Sequence, residues 1–304
     1  MPTGLTRYDA LVIGGDGLVG GEIVLALRGS GHAVRATSRR PRPDALPLDL
    51  ADPDVRFVQR ERHACAFVCA GITNMRECER APGEARRVNV EGTLKVMRAL
   101  AAAGTHLVFL SSGQVFDGDV PLPGETAARR PKNLYGRQKL EVEDAITREG
   151  LPAAVLRITK ILARSPVGIF RTWHEALRAG QPAMAATNIT IAPVAVEDVA
   201  QAAIRLGLGR HTGPWHLSSS DEVAYAEAVL RMADLCGLPR ELVRGEEVTE
   251  AQVPAIHRHR YAALDARKLA GALGFPIRTA ADVLAELFAA YPGATDAEPA
   301  GGQA

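Results

Sequence analysis

The stretch Leu11-Val12-Ile13-Gly14-Gly15-Asp16-Gly17-Leu18-Val19-Gly20 decides the fold of this chain. A short apolar run ends in glycines, and apolar side chains at helical spacing follow over residues 18–29. Gly14, Gly17 and Gly20 have the spacing Gly-x-x-Gly-x-x-Gly. Where a strand turns into a helix, such glycines permit the tight turn, the approach of a pyrophosphate to the backbone and close packing of the helix on the sheet. The pattern predicts a dinucleotide-binding unit at the start of the chain.

The first turn of the predicted helix supplies the contacts for an anion. Leu18 and Val19 open that helix, where backbone N–H groups have no partner within the helix and the helix dipole is positive. We therefore expect the phosphates of the cofactor to bind at Gly14, Gly17, Leu18, Val19 and Gly20.

Apolar runs alternate with helical patterns along the first half of the chain. Further strands are predicted at residues 33–37, 66–69, 107–110 and 154–158, and helices at 83–103 and 138–149. This alternation predicts an α/β protein with a Rossmann-type doubly wound parallel sheet, covered by helices on both faces.

The regular alternation fades after about residue 160. We expect an NAD(P)-binding Rossmann domain over residues 1–163. A smaller C-terminal α/β region over residues 164–290, interleaved with the first, is expected to bind the substrate. Residues 291–304 are rich in Gly, Pro, Ala and acidic residues, which predicts a disordered tail.

The end of the second predicted strand bears on the choice of nucleotide. An NAD site normally has an acid there for the ribose hydroxyls, whereas this strand ends Ala36-Thr37-Ser38-Arg39-Arg40. Ser38 can donate a hydrogen bond and Arg39 can pair with a 2′-phosphate. This favours NADP(H) over NAD(H), and the alternative is that Arg39 is solvated surface.

Two further segments are candidates for the cofactor site. Asp49, followed by Leu50, lies at a turn, where a carboxylate either accepts a hydrogen bond from the adenine amino group or caps a helix. Cys69, Ala70 and Gly71 end a later apolar strand. Their small side chains let the ribose of the cofactor lie across the backbone.

Tyr135-Gly136-Arg137-Gln138-Lys139 carries the catalytic prediction. If this segment is helical, Tyr135 and Lys139 lie on the same face, one turn apart. An ammonium beside a phenol favours the phenolate, so we expect the pKa of Tyr135 to be lowered. Tyr135 can then pass a proton to or from a carbonyl or alcohol oxygen.

Ser112 and Asn89 are the next candidates. Ser112 ends an apolar strand, where ligands bind in open parallel sheets, and its hydroxyl can bond the substrate oxygen beside Tyr135. Asn89 is an amide within a helical pattern. It either fixes backbone near the site or takes part in a water relay.

The order and spacing of these motifs resemble the extended short-chain dehydrogenase/reductase family, of the NAD-dependent epimerase/dehydratase type. Within that family the chain most resembles the dTDP-4-dehydrorhamnose reductase-like branch, through Val115-Phe116-Asp117-Gly118 and Ala192-Pro193-Val194-Ala195-Val196-Glu197-Asp198-Val199-Ala200. The resemblance implies that Tyr135 is the proton donor, that Lys139 positions the nicotinamide ribose and lowers the Tyr135 pKa, and that Ser112 aligns the substrate carbonyl. It also implies a homodimer formed through two helices of each subunit.

The function implied by the resemblance is NAD(P)-dependent reduction of a keto group on a nucleotide-activated sugar or related small molecule. Dehydratases of the family have an acidic pair after the active-site hydroxyl, where this chain has Gly113 and Gln114, so dehydration is disfavoured. An epimerase of the same fold and a non-catalytic, cofactor-binding regulatory subunit stay open as alternatives.

Gln114, Lys160 and His174 are the candidate substrate residues. Gln114 follows the active-site hydroxyl directly, and Lys160 follows a strand end. Lys160 either meets a substrate phosphate or is solvated. His174 lies on a predicted helix of the substrate region, where it is either structural or a second acid/base group.

Composition excludes several other classes of protein. The chain of 304 residues has 36 Lys+Arg against 35 Asp+Glu, so no broad field favours nucleic acid or an anionic membrane as partner. The four cysteines include no Cys-x-x-Cys pair, and we predict no metal site. Without a signal-like apolar N-terminus or a long apolar run, a cytoplasmic protein is expected.

Overall fold

The structure, a computed structural model, describes residues 6–253 and 259–293. Its strands are β1 (Thr6–Ile13), β2 (Val34–Ser38), β3 (Ala45–Pro47), β4 (Glu61–Val68), β5 (His106–Ser112), β6 (Ala153–Ile158), β7 (Lys160–Leu162), β8 (Ala183–Ala186), β9 (Thr190–Ile191), β10 (Pro193–Ala195), β11 (Gly213–Leu217), β12 (Val223–Ala224) and β13 (Val243–Glu246). Its helices are α1 (Leu18–Gly29), α2 (Met75–Arg80), α3 (Pro82–Arg86), α4 (Thr93–Ala102), α5 (Leu134–Glu149), α6 (Gly168–Arg178), α7 (Val196–Leu208), α8 (Tyr225–Cys236), α9 (Arg267–Leu273) and α10 (Ala280–Phe288).

Seven strands form one parallel sheet in the order β11-β6-β5-β4-β1-β2-β3. All neighbouring strands in it pair in parallel. The strand order reverses beside β1, as in a doubly wound fold. The predicted fold class, a Rossmann-type sheet with a smaller C-terminal α/β region, is confirmed.

Side chains of the central strands alternate between two buried layers. Val12 of β1 packs in one layer with α1 and α7, while Leu11 and Ile13 pack in the other with α4 and α5. Strands buried on both faces have continuous apolar sequence, which is why the runs at 66–69 and 107–110 are recognisable without any alternation.

A separate apolar core lies in the second half of the chain. It joins α6, α8 and α10 around the aromatic side chains of Phe170, Trp173 and Phe288. The same half also contributes to the main sheet, since β11 pairs with β6 and α7 packs on α1. Within the described residues, no helix has the length and apolarity to cross a membrane.

The helix predicted over residues 83–103 is interrupted. A π-helical turn over Arg87–Gly92 separates α3 from α4. Gly92 lies so close to the preceding loop that a Cβ on it would be 1.7 Å from the Leu50 carbonyl oxygen. The widened turn places the buried Asn89 toward the carboxyl edge of the sheet, a displacement that the helical spacing of apolar residues does not reveal.

A buried ion pair connects α5 with the sheet. Arg157 of β6 donates to Glu143 of α5 at 2.7 Å, and both side chains are only 3% exposed. Ser111 of β5 donates to the same carboxylate at 2.5 Å, and Arg129 donates at 3.3 Å. Because every one of these donors converges on one carboxylate, the charge buried at Glu143 is compensated in a fixed geometry.

We expect Glu143→Ala to destabilise the protein by about 3–5 kcal/mol, because it leaves the Arg157 guanidinium buried without its counter-ion. Glu141→Ala is the matched control, since Glu141 lies on the same helix and pairs with Arg86 at the surface. Chemical denaturation measures both, and the control should unfold close to wild type. Similar losses of stability in the two variants would contradict the role given to the buried pair.

Candidate active site

The glycine turn has the geometry that its spacing predicts. Gly14 has φ +81°, which a residue with a side chain rarely adopts. A Cβ on Gly20 would lie 2.1 Å from the Gly14 carbonyl oxygen, so the third glycine is required for close packing of the turn. The turn is tied to β2 because Gly14 N donates to Thr37 Oγ1 at 3.1 Å and Gly15 N donates to the Thr37 carbonyl at 2.9 Å.

The end of β2 contains a contact that the sequence did not predict. Ser38 is buried, and its hydroxyl donates to Asp16 Oδ2 of the glycine turn at 2.8 Å. The Ser38 hydroxyl oxygen also accepts from Arg40 N at 3.1 Å. Arg39 is exposed, and no hydrogen bond or ion pair of its side chain occurs within the described residues. Ser38 and Arg39 therefore lie where predicted, but the serine proton is already donated to an acid.

Asp49 and Leu50 have separate roles in the loop after β3. Asp49 is exposed, and its Oδ1 accepts from Ala51 N at 2.9 Å within a turn. It caps no helix of the described residues, since the next helical turn begins at Arg56. Leu50 is buried in the apolar layer. The remaining carboxylate oxygen of Asp49 is still able to accept from an adenine amino group.

Asn89 holds the segment that follows β4. Its Oδ1 accepts from Ile72 N at 2.8 Å and its Nδ2 donates to the Ile72 carbonyl at 2.9 Å. A Cβ on Gly71 would approach the same amide oxygen to 3.0 Å. Of the two alternatives for Asn89, these contacts favour fixing the backbone at Ala70–Ile72 beside the glycine turn.

The catalytic candidates come together at the carboxyl end of β5. Ser112 lies close enough to Tyr135 for its hydroxyl to influence the pKa of the phenol. Lys139 is buried and donates from Nζ to the Leu110 carbonyl at 2.8 Å, and Nζ lies 5.7 Å from the centre of the Tyr135 ring. The i, i+4 spacing on α5 thus places Tyr135 and Lys139 together, as the sequence predicts.

Helix α5 begins early enough to include Tyr135 because its first turn is capped. Asn133 precedes the helix, and its Oδ1 accepts from Gly136 N at 2.8 Å. Its Nδ2 donates to Gln114 Oε1 at 2.7 Å. A Cβ on Gly136 would lie 2.1 Å from the Gln114 carbonyl oxygen, so glycine is needed for the helix to approach the end of β5.

The structure corrects the expected electrostatics of Tyr135. Burial raises the pKa of the phenol well above its ordinary value, and the nearby Ser112 hydroxyl opposes this only in part. Lys139 bonds to a backbone carbonyl instead of to the phenol, and burial lowers the pKa of its ammonium to about 8. The expectation that Lys139 lowers the pKa of Tyr135 therefore does not hold here, because desolvation is the largest influence on the phenol and Lys139 is not among the groups that oppose it.

A cavity of about 770 Å³ opens between the carboxyl edge of the main sheet and the second half of the chain. Its lining includes Ser112, cationic side chains, aromatic side chains and several apolar residues. The polar and aromatic lining residues are Asn74, Arg76, Ser112, Gln114, Thr159, Lys160, Trp173, Thr190, Tyr225, Glu246, Gln252 and His259. A pocket of this size and mixture suits a ligand with an apolar ring and an anionic group.

Gln114 and Lys160 line this cavity as the substrate prediction requires, and His174 does not. His174 is 3% exposed, and its Nε2 contacts the Pro292 carbonyl at 2.8 Å. Its ring packs edge-on against Tyr291. These contacts favour the structural alternative for His174 over the catalytic one, because the side chain faces the C-terminal segment and not the cavity.

Several cavity residues were not singled out from the sequence. Trp173 was missed beside His174, since helical spacing alone does not tell which of two adjacent residues faces a pocket. Thr159 follows β6, and its Oγ1 is buried without a hydrogen-bond partner in the described residues. Position after a strand end was the available signal for Thr159, as it was for Lys160.

No group of three or more His, Cys, Asp or Glu side chains is placed to hold a metal ion within residues 6–253 and 259–293. The residues at the carboxyl edge instead fit a dinucleotide. The Gly14–Gly17 turn offers backbone N–H groups at the start of α1, and the small residue Ala70 packs against Gly14. Lys139 donates to the Leu110 carbonyl near the end of β5.

Comparison with known proteins assigns most of the chain to one family. Residues 8–292 match the family described as the RmlD substrate binding domain. Methionine adenosyltransferase 2 subunit beta of Bos taurus is 30% identical over 273 residues, covering 85% of this chain and 80% of that protein. The dTDP-4-dehydrorhamnose reductase of Mycobacterium tuberculosis is 29% identical over 305 residues, covering 95% of each.

Solved structures agree on the architecture. A dTDP-4-dehydrorhamnose reductase from Bacillus anthracis in complex with NADP has a TM-score of 0.80 at 19% identity, with 94% of this chain and 98% of that chain covered. MoeE5 in complex with UDP-glucose and NAD has a TM-score of 0.78 at 26% identity, with 93% and 98% covered. The chain therefore belongs to the RmlD substrate-binding-domain family, within the extended short-chain dehydrogenase/reductases.

Proposed function

We propose that the chain is an NAD(P)-dependent reductase of a keto group on a nucleotide-activated sugar or a related small molecule. The observation that carries this proposal is that Ser112 acts on the phenol of Tyr135 at close range and lies on the wall of the large cavity. A carbonyl oxygen that enters beside Ser112 meets a donor at Tyr135. Lys139 lies one helical turn away, with its Nζ 5.7 Å from the centre of the Tyr135 ring.

The chain's own groups perform the acid half of the reaction. A bound nicotinamide dinucleotide supplies the hydride. Because burial raises the pKa of Tyr135, its phenol keeps its proton at neutral pH and donates it to the developing alkoxide. Ser112 holds the same oxygen, and Lys139 carries a positive charge below pH about 8 that favours negative charge developing nearby.

We propose that the two parts of the chain bind different ligands, the first the cofactor and the second the substrate. We assign the cofactor to residues 1–163, with the glycine turn at the phosphates and Lys139 at the nicotinamide ribose. Arg39 supports NADP(H) over NAD(H), since its exposed guanidinium has no partner in the described residues and can pair with a 2′-phosphate. The substrate is assigned to the cavity closed by residues 164–290, where Lys160 and Arg76 suit a diphosphate.

The homodimer through two helices of each subunit is proposed with this function. It stays a prediction that the mass in solution tests.

A second candidate is a cofactor-binding subunit of a larger enzyme. It is favoured by the 30% identity to a protein named as the beta subunit of methionine adenosyltransferase 2. Against it, Ser112, Tyr135 and Lys139 are all present and lie together.

One set of measurements separates these functions. The gently purified protein is analysed by native mass spectrometry for retained ligand, titrated with NADH and NADPH, and assayed for reduction of a panel of nucleotide-linked keto-sugars. Oxidation of the dinucleotide with matching formation of alcohol supports the reductase. Tight binding without turnover across the panel would support the subunit, and retained oxidised cofactor with sugar inversion would support an epimerase.

We predict that Tyr135→Phe lowers kcat by about 10² to 10⁴-fold, the usual contribution of a positioned acid, while the Kd for the dinucleotide changes little. Tyr8→Phe is the matched control, since Tyr8 lies near the start of β1, far from the carboxyl edge, and stacks on His63 of β4. Steady-state kinetics and calorimetry measure the two quantities. Near-normal turnover of Tyr135→Phe would remove Tyr135 from the mechanism.

We predict that kcat falls as pH rises through about 8, because the Lys139 ammonium loses its proton there while Tyr135 stays protonated. In Lys139→Arg the guanidinium stays charged at every working pH. That variant should be slower but should lose the inflection near pH 8. An unchanged inflection in Lys139→Arg would assign the titration to another group.

A further inference from the structure

Asp16 brings a carboxylate to the end of β2, where the strand's own residues include no acid. It precedes Gly17 in the glycine turn and is exposed, and its Oδ2 accepts from the buried Ser38 hydroxyl at 2.8 Å. The hydrogen bond brings the carboxylate from the turn after β1 across to the end of β2. In a dinucleotide fold, the end of β2 is where the adenosine ribose lies.

The contacts of Ser38 leave the carboxylate as the group that faces a ligand. The hydroxyl has one proton, which goes to Asp16, and its oxygen also accepts from Arg40 N at 3.1 Å. Ser38 therefore has no proton left for a ribose or a phosphate. Asp16 keeps a second oxygen, Oδ1, for which the described residues supply no hydrogen bond.

The chemistry of a carboxylate distinguishes the two dinucleotides. The vicinal hydroxyls of the NAD ribose are donors that a carboxylate accepts, whereas the 2′-phosphate of NADP is an anion that a carboxylate repels. Arg39, the next residue after Ser38, has the opposite preference. Asp16 and Arg39 thus place opposing charges at the end of β2.

We propose that Asp16 is a specificity-determining residue of the cofactor site, which accepts the ribose hydroxyls in place of the missing β2 acid and limits the preference for NADP(H) that Arg39 creates. The inference rests on the proposed function, because it requires that a nicotinamide dinucleotide binds at the glycine turn. It concerns the ratio of two affinities and does not depend on the identity of the substrate.

Calorimetric titration of the full chain with NADH and with NADPH tests this inference. In Asp16→Asn, we expect the ratio of Kd for NADPH to Kd for NADH to fall about two- to fivefold, as one repulsive charge is removed from an exposed site. Asp44→Asn is the matched control, because Asp44 is an exposed acid just before β3, the strand beside β2. It removes the same charge from the protein and should leave the ratio unchanged.

Ser38→Ala distinguishes the effect of the Asp16 carboxylate from that of the Ser38 hydroxyl that bonds to it. This variant removes the hydroxyl and keeps the charge of Asp16, so the ratio should stay closer to wild type than in Asp16→Asn. Asp16→Ser repeats the loss of charge with a second residue that turns accept. Thermal unfolding of every variant shows whether its fold is retained.

An equal change of both Kd values in Asp16→Asn and Asp16→Ser, or no change, would overturn the inference while leaving the proposed function intact. A shift in Ser38→Ala as large as that in Asp16→Asn would also overturn it, since the hydroxyl would then be the discriminating group. Failure of the wild-type chain to bind either dinucleotide would overturn the proposed function and this inference together.

Discussion

The buried carboxylate of Glu143 is the constraint on which the candidate active site depends. It receives Ser111 from β5 and Arg157 from β6, so one side chain of α5 is fixed to two adjacent strands. Lys139 and Tyr135 lie one and two turns before it on the same helical face. Since a buried charge has few alternative arrangements, the ion pair sets the distance between the strand that ends in Ser112 and the helix that presents Tyr135.

The close packing that positions Tyr135 and Lys139 also shifts their pKa values. Asn133 and Gly136 bring the start of α5 against the backbone of Gln114, which removes water from the phenol of Tyr135. Loss of water raises the pKa of an acid that would become charged and lowers the pKa of a base that is charged, so Tyr135 and Lys139 shift in opposite directions. The site therefore favours a protonated phenol beside an ammonium that titrates near neutrality.

Local signals were sufficient to predict the sheet, the glycine turn and the pairing of Tyr135 with Lys139. Each depends on short-range spacing: three glycines within seven residues, continuous apolar strands, and an i, i+4 pair. Contacts between distant segments were not predictable. The reach of Asp16 to Ser38, the π-helical turn at Asn89 and the turning of His174 toward Pro292 depend on which backbones pack together. The sign of the Tyr135 shift was missed because desolvation is a property of the packed site.

The insertion of β11 into the main sheet has a consequence for how the chain folds during synthesis. When the ribosome has released residues up to 163, β6 has an open edge and the apolar face of α1 lacks α7. An uncovered apolar strand edge is a template for pairing with other chains. The edge is covered only when Gly213–Leu217 has emerged, so the first half of the chain becomes a stable unit late, and its protection from aggregation depends on sequence from the second half.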